Sequence, residues 1–291
     1  MTDRYTRVLL TGATGYLGGK LTSKLLDAGY SLQCPVLPDI PLDYLAPYAD
    51  RVDIVSTSDS NFSDKIHSFS PEIVIHAAGR YDREGISLVE LTDANIFFPL
   101  RVLHAVLDLP HRVLWLNTNT SLEYFLNGYS ISKHQFADWG KYYAQQGRLD
   151  FCNLLLQHFY GEGEKGPKLF PFLLGKMKAN EAIELTDGTQ RRDFIYIDDV
   201  ADAFLLLCKA RPEGYNEIQV GTGEAPPLRD VVERLKKLTG STSELLFGAL
   251  PKREKEPEIS LADTRAIREL GFECNYTWET GLERMVREET E

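Results

Sequence analysis

The sequence predicts an α/β fold, a doubly wound parallel sheet with a smaller lobe interleaved in its C-terminal half. Three observations predict it. Short apolar runs alternate with segments of helical period through the first half of the chain. A glycine-rich turn, Thr11-Gly12-Ala13-Thr14-Gly15-Tyr16-Leu17-Gly18, separates the first such run from the first such helix. After Gln157 the regular alternation gives way to loops, short strands and helices.

Arg7-Val8-Leu9-Leu10 reads as the first strand. Tyr16 to Gly29 reads as a helix, because Leu17, Leu21, Leu25 and Leu26 keep helical period. Ser31 to Val36, Val52 to Val55, Glu72 to His76, Val113 to Leu116 and Phe151 to Leu156 supply five more strands, and Leu88 to Leu109 and Ser130 to Gln146 supply helices. In such a sheet ligands bind outside the carboxyl ends of the strands. The glycine turn, His76-Ala77-Ala78-Gly79 and Thr118 all fall there. Later elements are expected at Glu181 to Leu185, Phe194 to Ile197, Val200 to Ala210, Glu217 to Val220 and Leu228 to Thr239. The division expected is a sheet domain over 1–156, with returns near 193–222, and a lobe formed mainly by 157–291.

With 291 residues, 43% of them hydrophobic, the chain is able to bury a full core. A net charge of -11 opposes nonspecific attraction to nucleic acid or an anionic membrane, so neither is expected as a partner. No apolar stretch approaches the ~20 residues of a membrane span, and the first ten residues lead directly into strand and turn. A cytoplasmic location is the expectation. Cys34, Cys152, Cys208 and Cys274 are scattered without a CxxC pair, which reads as free thiols rather than disulfides or metal ligands.

Each glycine of the turn has a physical task. Gly12 permits the tight turn, Gly15 lets the backbone approach a pyrophosphate, and Gly18 lets helix and strand pack closely. The helix N-terminus behind them faces the anion. Downstream, Tyr129-Ser-Ile-Ser-Lys133 places a phenol and an ammonium four residues apart on one helical face. An ordinary surface pair has the same spacing; the glycine turn ahead of it favours chemistry. A phenol titrating near ~10 needs a fall of roughly three units to act near neutrality, and a neighbouring lysine cation contributes part of it.

These motifs stand in order with His76-Ala77-Ala78, Thr118 and Arg191-Arg192-Asp193-Phe194-Ile195-Tyr196. On them the chain resembles the extended short-chain dehydrogenase/reductases of the NAD-dependent epimerase/dehydratase family, Rossmann-fold enzymes acting on nucleotide sugars. Leu156-Gln157-His158-Phe159-Tyr160-Gly161 and Leu185-Thr186-Asp187-Gly188-Thr189-Gln190-Arg191-Arg192-Asp193-Phe194 look most like the CDP-paratose and CDP-abequose synthase group. Those enzymes reduce the 4-keto group of a CDP-deoxysugar for bacterial surface polysaccharide, the O-antigen of lipopolysaccharide. The resemblance implies an oxidoreductase acting on CDP-4-keto-3,6-dideoxyglucose, and a homodimer. Its alternatives are a 4-epimerase that retains NAD and a non-catalytic, cofactor-sensing binding protein.

Carried over by residue, the resemblance makes Tyr129 the general acid, Lys133 the group that biases the phenol and holds the nicotinamide ribose, and Thr118 a hydroxyl on the keto oxygen. Gly12, Thr14, Gly15, Tyr16, Leu17, Gly18, Ala77 and Ala78 are expected around the cofactor. Asn95 either braces Lys133 or caps structure, and His76 reads as structural. Thr118, Asn119, Thr120, His158, Arg192 and Arg253 are expected against the substrate, the two arginines on its diphosphate. Arg191 either shares that task or is solvated, and a solvated charge run is the other reading of Arg253. No metal is implied.

Three departures from the family pattern matter. Asn119 and Thr120 replace the Asp-Glu pair of the family's dehydratases, and neither works as a general acid or base near neutrality. Only ten residues separate Thr118 from Tyr129, where many relatives carry a longer loop. The second strand runs Gln33-Cys34-Pro35-Val36-Leu37-Pro38, with no carboxylate for an NAD ribose and no arginine for a 2'-phosphate. From the missing carboxylate, NADP(H) is the expected cofactor, with NAD(H) second.

Overall fold

The computed structural model describes residues 6–82, 85–252 and 257–290. Arg253 lies outside the described residues. The chain runs β1 (Arg7–Thr11), α1 (Tyr16–Asp27), β2 (Ser31–Val36), β3 (Asp53–Ser56), α2 (Phe62–Phe69), β4 (Ile73–His76), α3 (Leu88–Thr92), α4 (Phe98–Leu107), β5 (Leu114–Thr120), α5 (Gly128–Gln145) and β6 (Asp150–Leu156). It continues through β7 (His158–Tyr160), α6 (Leu169–Ala179), β8 (Ile183–Leu185), β9 (Arg191–Arg192), β10 (Phe194–Tyr196), α7 (Ile197–Ala210), β11 (Tyr215–Val220), α8 (Leu228–Thr239), β12 (Leu245–Phe247), β13 (Ile259–Ser260), α9 (Arg265–Glu269) and α10 (Trp278–Thr290).

The chain forms two compact units, Met1–Leu155 with Ala201–Ile218, and Leu156–Val200 with Gln219–Glu291. In the first, seven strands of the described residues form one sheet in the order β11-β6-β5-β4-β1-β2-β3. The β1–β2, β1–β4, β2–β3 and β4–β5 pairs are parallel. Strand order reverses between β1 and β4, so the crevice of a doubly wound sheet opens at the carboxyl ends of these two strands. All of β4 and β5 is buried, as expected of strands covered by helices on both faces. One cluster of this core joins Leu9, Val74, Trp115, Phe136 and Phe151.

The long helix expected over Leu88 to Leu109 is interrupted. A π turn at Asp93–Phe97 joins α3 to α4 and buries Asn95. Pro99 supplies a reason, because it has no N–H to donate to the Asn95 carbonyl four residues back. The wider turn brings Asn95 inward.

The second unit is built from parallel two-stranded pairs: β7 with β10, β8 with β12, and β9 with β13. Asp193 ties its loops together, accepting from Thr222 N (2.9 Å), Thr222 Oγ1 (2.8 Å), Gly223 N (3.0 Å) and Ala262 N (3.2 Å). So many donors give this buried carboxylate a structural task. No helix of the described residues is long and apolar enough to cross a membrane.

Candidate active site

The turn after β1 is shaped by absent side chains. Gly12 has φ +75, and a Cβ there would fall 2.5 Å from Ala78 N; a Cβ on Gly18 would fall 1.9 Å from Gly12 O. The ends of β1 and β4 and the start of α1 therefore meet closer than any other residue allows. Gly15 caps α1 without a side-chain hydrogen bond, and no acidic residue stands in the first turn. The free amides and positive end of the helix dipole suit a pyrophosphate. Leu17 faces the core instead, so only its backbone remains for a ligand.

At the end of β4, Thr11 Oγ1 shares a 2.7 Å hydrogen bond with His76 Nδ1 and accepts from Ala78 N at 3.3 Å. His76 is fully buried among Phe98, Trp115 and Phe136. Burial, and then the charge of Lys133, hold its pKa well below the usual histidine value. A neutral ring in this setting is structural.

Helix α5 is started by a capping box. Ser130 N donates to Asn127 Oδ1 at 2.8 Å, and Asn127 N donates to Ser130 Oγ at 3.1 Å. Tyr129 and Lys133 follow on one face. Lys133 is 3% exposed and makes no ion pair or hydrogen bond among the described residues, and burial lowers its pKa to about 8. A Cβ on Gly79 would stand 3.7 Å from both Lys133 Nζ and Asn95 Oδ1. An unpaired buried cation beside a glycine-lined strand end fits the polar sugar of a dinucleotide. Together with the anion-ready turn, these residues fit a nicotinamide dinucleotide.

The phenol departs from the expected direction. The pKa of Tyr129 is raised, first by burial and then by the charge and hydrogen bond of Tyr81, whose ring stacks on it at 4.7 Å and 30°. Desolvation and then the second phenol raise it, so Tyr129 is a phenol and not a phenolate. The Asn95 side chain is committed to its neighbours: its Nδ2 donates to Arg80 O (2.8 Å) and Ser132 Oγ (2.9 Å).

Thr118 is nearly buried and donates its hydroxyl to His76 O at 2.9 Å. Asn119 Oδ1 accepts from Thr120 N at 2.8 Å, while its Nδ2 is buried without a partner among the described residues. Thr120 Oγ1 accepts from Leu122 N at 3.1 Å. These positions hold amide and hydroxyl groups, with no carboxylate for dehydration chemistry.

The first unit thus gathers the glycine turn, Ala77, Ala78, Asn95, Thr118, Tyr129 and Lys133. His158 and Arg192 belong to the second. His158 is exposed, its ring edge-on to Phe194 at 5.9 Å. Arg192 is 5% exposed and its Nη1 donates to Arg191 O (2.7 Å) and Glu258 O (3.4 Å). Sequence reasoning missed Tyr81, Asp82 and Ser132. The first two follow the strand-end signal His76-Ala77-Ala78-Gly79, and Ser132 lies inside the Tyr129 to Lys133 motif.

Residues 8–221 match the model of the family described as NAD dependent epimerase/dehydratase family. CDP-abequose synthase of Salmonella muenchen is 32% identical, over 98% of this chain and 99% of its own length. UDP-glucuronic acid 4-epimerase of Bacillus cereus, solved with UDP-glucuronic acid and NAD, superposes with a TM-score of 0.85 at 20% identity, covering 98% of this chain and 99% of that one. UDP-glucose 4-epimerase of Thermus thermophilus, solved with NAD, gives 0.82 at 20% identity over 98% and 99%.

The expectation of an NADP(H) preference is corrected by the NAD in those structures. Local chemistry explains the error. A missing carboxylate at the end of β2 does not create a site for a 2'-phosphate, which needs a cation. Arg101 donates to Thr57 O at 3.1 Å and stands over the Phe62 ring. Asp39, with φ +60, brings a negative charge into the loop after β2. The chain belongs to the NAD dependent epimerase/dehydratase family, in its CDP-abequose synthase-like branch, and is an oxidoreductase of nucleotide sugars.

Proposed function

We propose that this protein reduces the 4-keto group of a nucleotide-linked deoxysugar, with CDP-4-keto-3,6-dideoxyglucose as substrate and NADH as reductant. The observation that carries the reading is the end-to-end match to a CDP-abequose synthase. Asn119 and Thr120 support a reductase over a dehydratase.

A nicotinamide cofactor bound at the glycine turn and Lys133 supplies the hydride. Tyr129 gives its proton to the keto oxygen as the carbon is reduced, so hydride and proton together make the alcohol. By resemblance Thr118 donates its hydroxyl to the same oxygen, giving up its bond to His76 O, and Asn119 Nδ2 offers a donor to the sugar. Arg192, and Arg253 outside the described residues, are assigned to the diphosphate by resemblance. A homodimer is supported by Phe97, Trp139 and Tyr142, which are 58%, 45% and 51% exposed on α5 and the turn before α4.

The test is to incubate the protein with CDP-, dTDP-, UDP- and GDP-4-keto sugars and NADH, and assign products by NMR. The CDP sugar should be reduced at carbon 4. Conversion of an unoxidised sugar nucleotide into its 4-epimer would support the epimerase reading instead.

A further inference from the structure

A row of polar side chains crosses the sheet of the first unit and ends at the cofactor turn. At its outer end Glu217, on β11, accepts from Asn153 Nδ2 at 3.1 Å and from the Tyr215 hydroxyl at 3.0 Å. A carboxylate only accepts, so it turns the Asn153 amide with its oxygen inward. Asn153 Oδ1 then accepts from Asn117 Nδ2 at 2.9 Å, which fixes the second amide in turn. Asn117 Oδ1 is left buried, with no partner among the described residues.

From the other end, Ala78 N donates to Thr11 Oγ1, which shares its 2.7 Å bond with His76 Nδ1. The buried Thr11 hydroxyl donates nowhere else among the described residues, so its proton lies on this bond and the one proton of the neutral ring sits on Nε2. His76 Nε2 is likewise buried without a partner among the described residues, and so is Trp115 Nε1. His76 and Asn117 are paired in register on β4 and β5, and Trp115 precedes Asn117 by two residues on the same face, its ring 5.9 Å from that of His76. Two unsatisfied donors and one unsatisfied acceptor thus stand on neighbouring positions of one sheet face.

We propose that these three residues bind one buried water molecule, which accepts from His76 Nε2 and Trp115 Nε1 and donates to Asn117 Oδ1. Three hydrogen bonds are the usual complement of a buried water. A cation would face two N–H donors and an anion the amide oxygen, so the fitting ligand is a neutral molecule that both donates and accepts. The bridge joins the two halves into one chain from Glu217 to Ala78 N, and it locks the His76 tautomer on which the contact between Thr11 and Ala78 depends. Ala78 N is the atom that a Cβ on Gly12 would strike, so the chain braces the narrowest point of the cofactor turn. Asn117 is a positioning residue, acting on that turn through the water and His76.

A crystal structure of the wild type, at a resolution that shows waters, should place one within about 3.2 Å of both His76 Nε2 and Asn117 Oδ1. Nitrogen NMR of the same protein should find His76 neutral with its proton on Nε2. A direct bond between His76 and Asn117, or a proton on Nδ1, would overturn the proposal. Asn117→Leu removes the acceptor, and NADH should then bind about two- to tenfold more weakly, the range for one neutral hydrogen bond. Asn117→Ser keeps a hydroxyl and leaves room for a second water, and it should restore the affinity. Equal weakening in both variants would point to packing alone, and wild-type affinity in Asn117→Leu would cut the chain from the cofactor turn; either result overturns the positioning role.

Discussion

The Thr118 hydroxyl donates to the carbonyl oxygen of His76. Its proton is therefore engaged, and the hydroxyl must rotate away from His76 O before it can donate to a keto oxygen. This makes Thr118 an aid to orientation rather than an equal partner of Tyr129 in proton donation. Thr118→Val should lower kcat by roughly tenfold, as expected for one neutral hydrogen bond, with cofactor affinity unchanged. Steady-state kinetics and an NADH fluorescence titration check both parts.

Tyr129→Phe should cost much more. Removing the proton donor is expected to lower kcat ~10²–10⁴-fold, with NADH binding nearly intact. Near-normal turnover in the variant would assign the proton to another group.

Lys133 carries a cost that function requires. Its pKa in the folded protein, about 8, lies below the ordinary 10.5, so charging it in place disfavours the fold. The cost is complete below pH 8, and stability recovers as pH rises toward 10.5. Lys133→Met should therefore melt higher than wild type without cofactor at pH 7, and the gain should shrink above pH 8. The same variant should lose NADH affinity. Calorimetry across pH, with and without NADH, tests the sign.

Arg192 combines two tasks. Its bonds to the Arg191 and Glu258 carbonyls make it part of the second unit's frame, while the resemblance gives it the diphosphate. Arg192→Ala should both lower the melting temperature and raise the substrate KM about ten- to hundredfold, the range for a charge-assisted hydrogen bond. A drop in melting temperature with unchanged KM would leave only the structural task.

Much of this was legible in the chain because local chemistry dictated it. Gly12 and Gly18 stand where a Cβ would strike backbone, and buried strands such as β4 and β5 read as nearly continuous apolar runs. Less legible were features set by distant partners. The π turn at Asn95 keeps the composition of a helix, and only Pro99 hints at the lost hydrogen bond. Helix α6 begins Leu-Phe-Pro-Phe, which reads as a loop before its buried Phe170, Leu173 and Met177 are seen together. The direction of the Tyr129 shift could not be read from its spacing to Lys133, because it is set first by burial and then by Tyr81, which arrives from another loop. The cofactor is not legible from β2 alone, because a missing carboxylate removes one ribose contact without supplying the cation that a 2'-phosphate needs.

The central claim is net reduction with NADH, and stoichiometry tests it most directly. With CDP-4-keto-3,6-dideoxyglucose, NADH absorbance and product NMR followed together should show one NADH consumed for each 4-hydroxy sugar formed, and NADPH should serve distinctly less well. Product formed with no net loss of NADH, by a tightly retained NAD, would contradict the account.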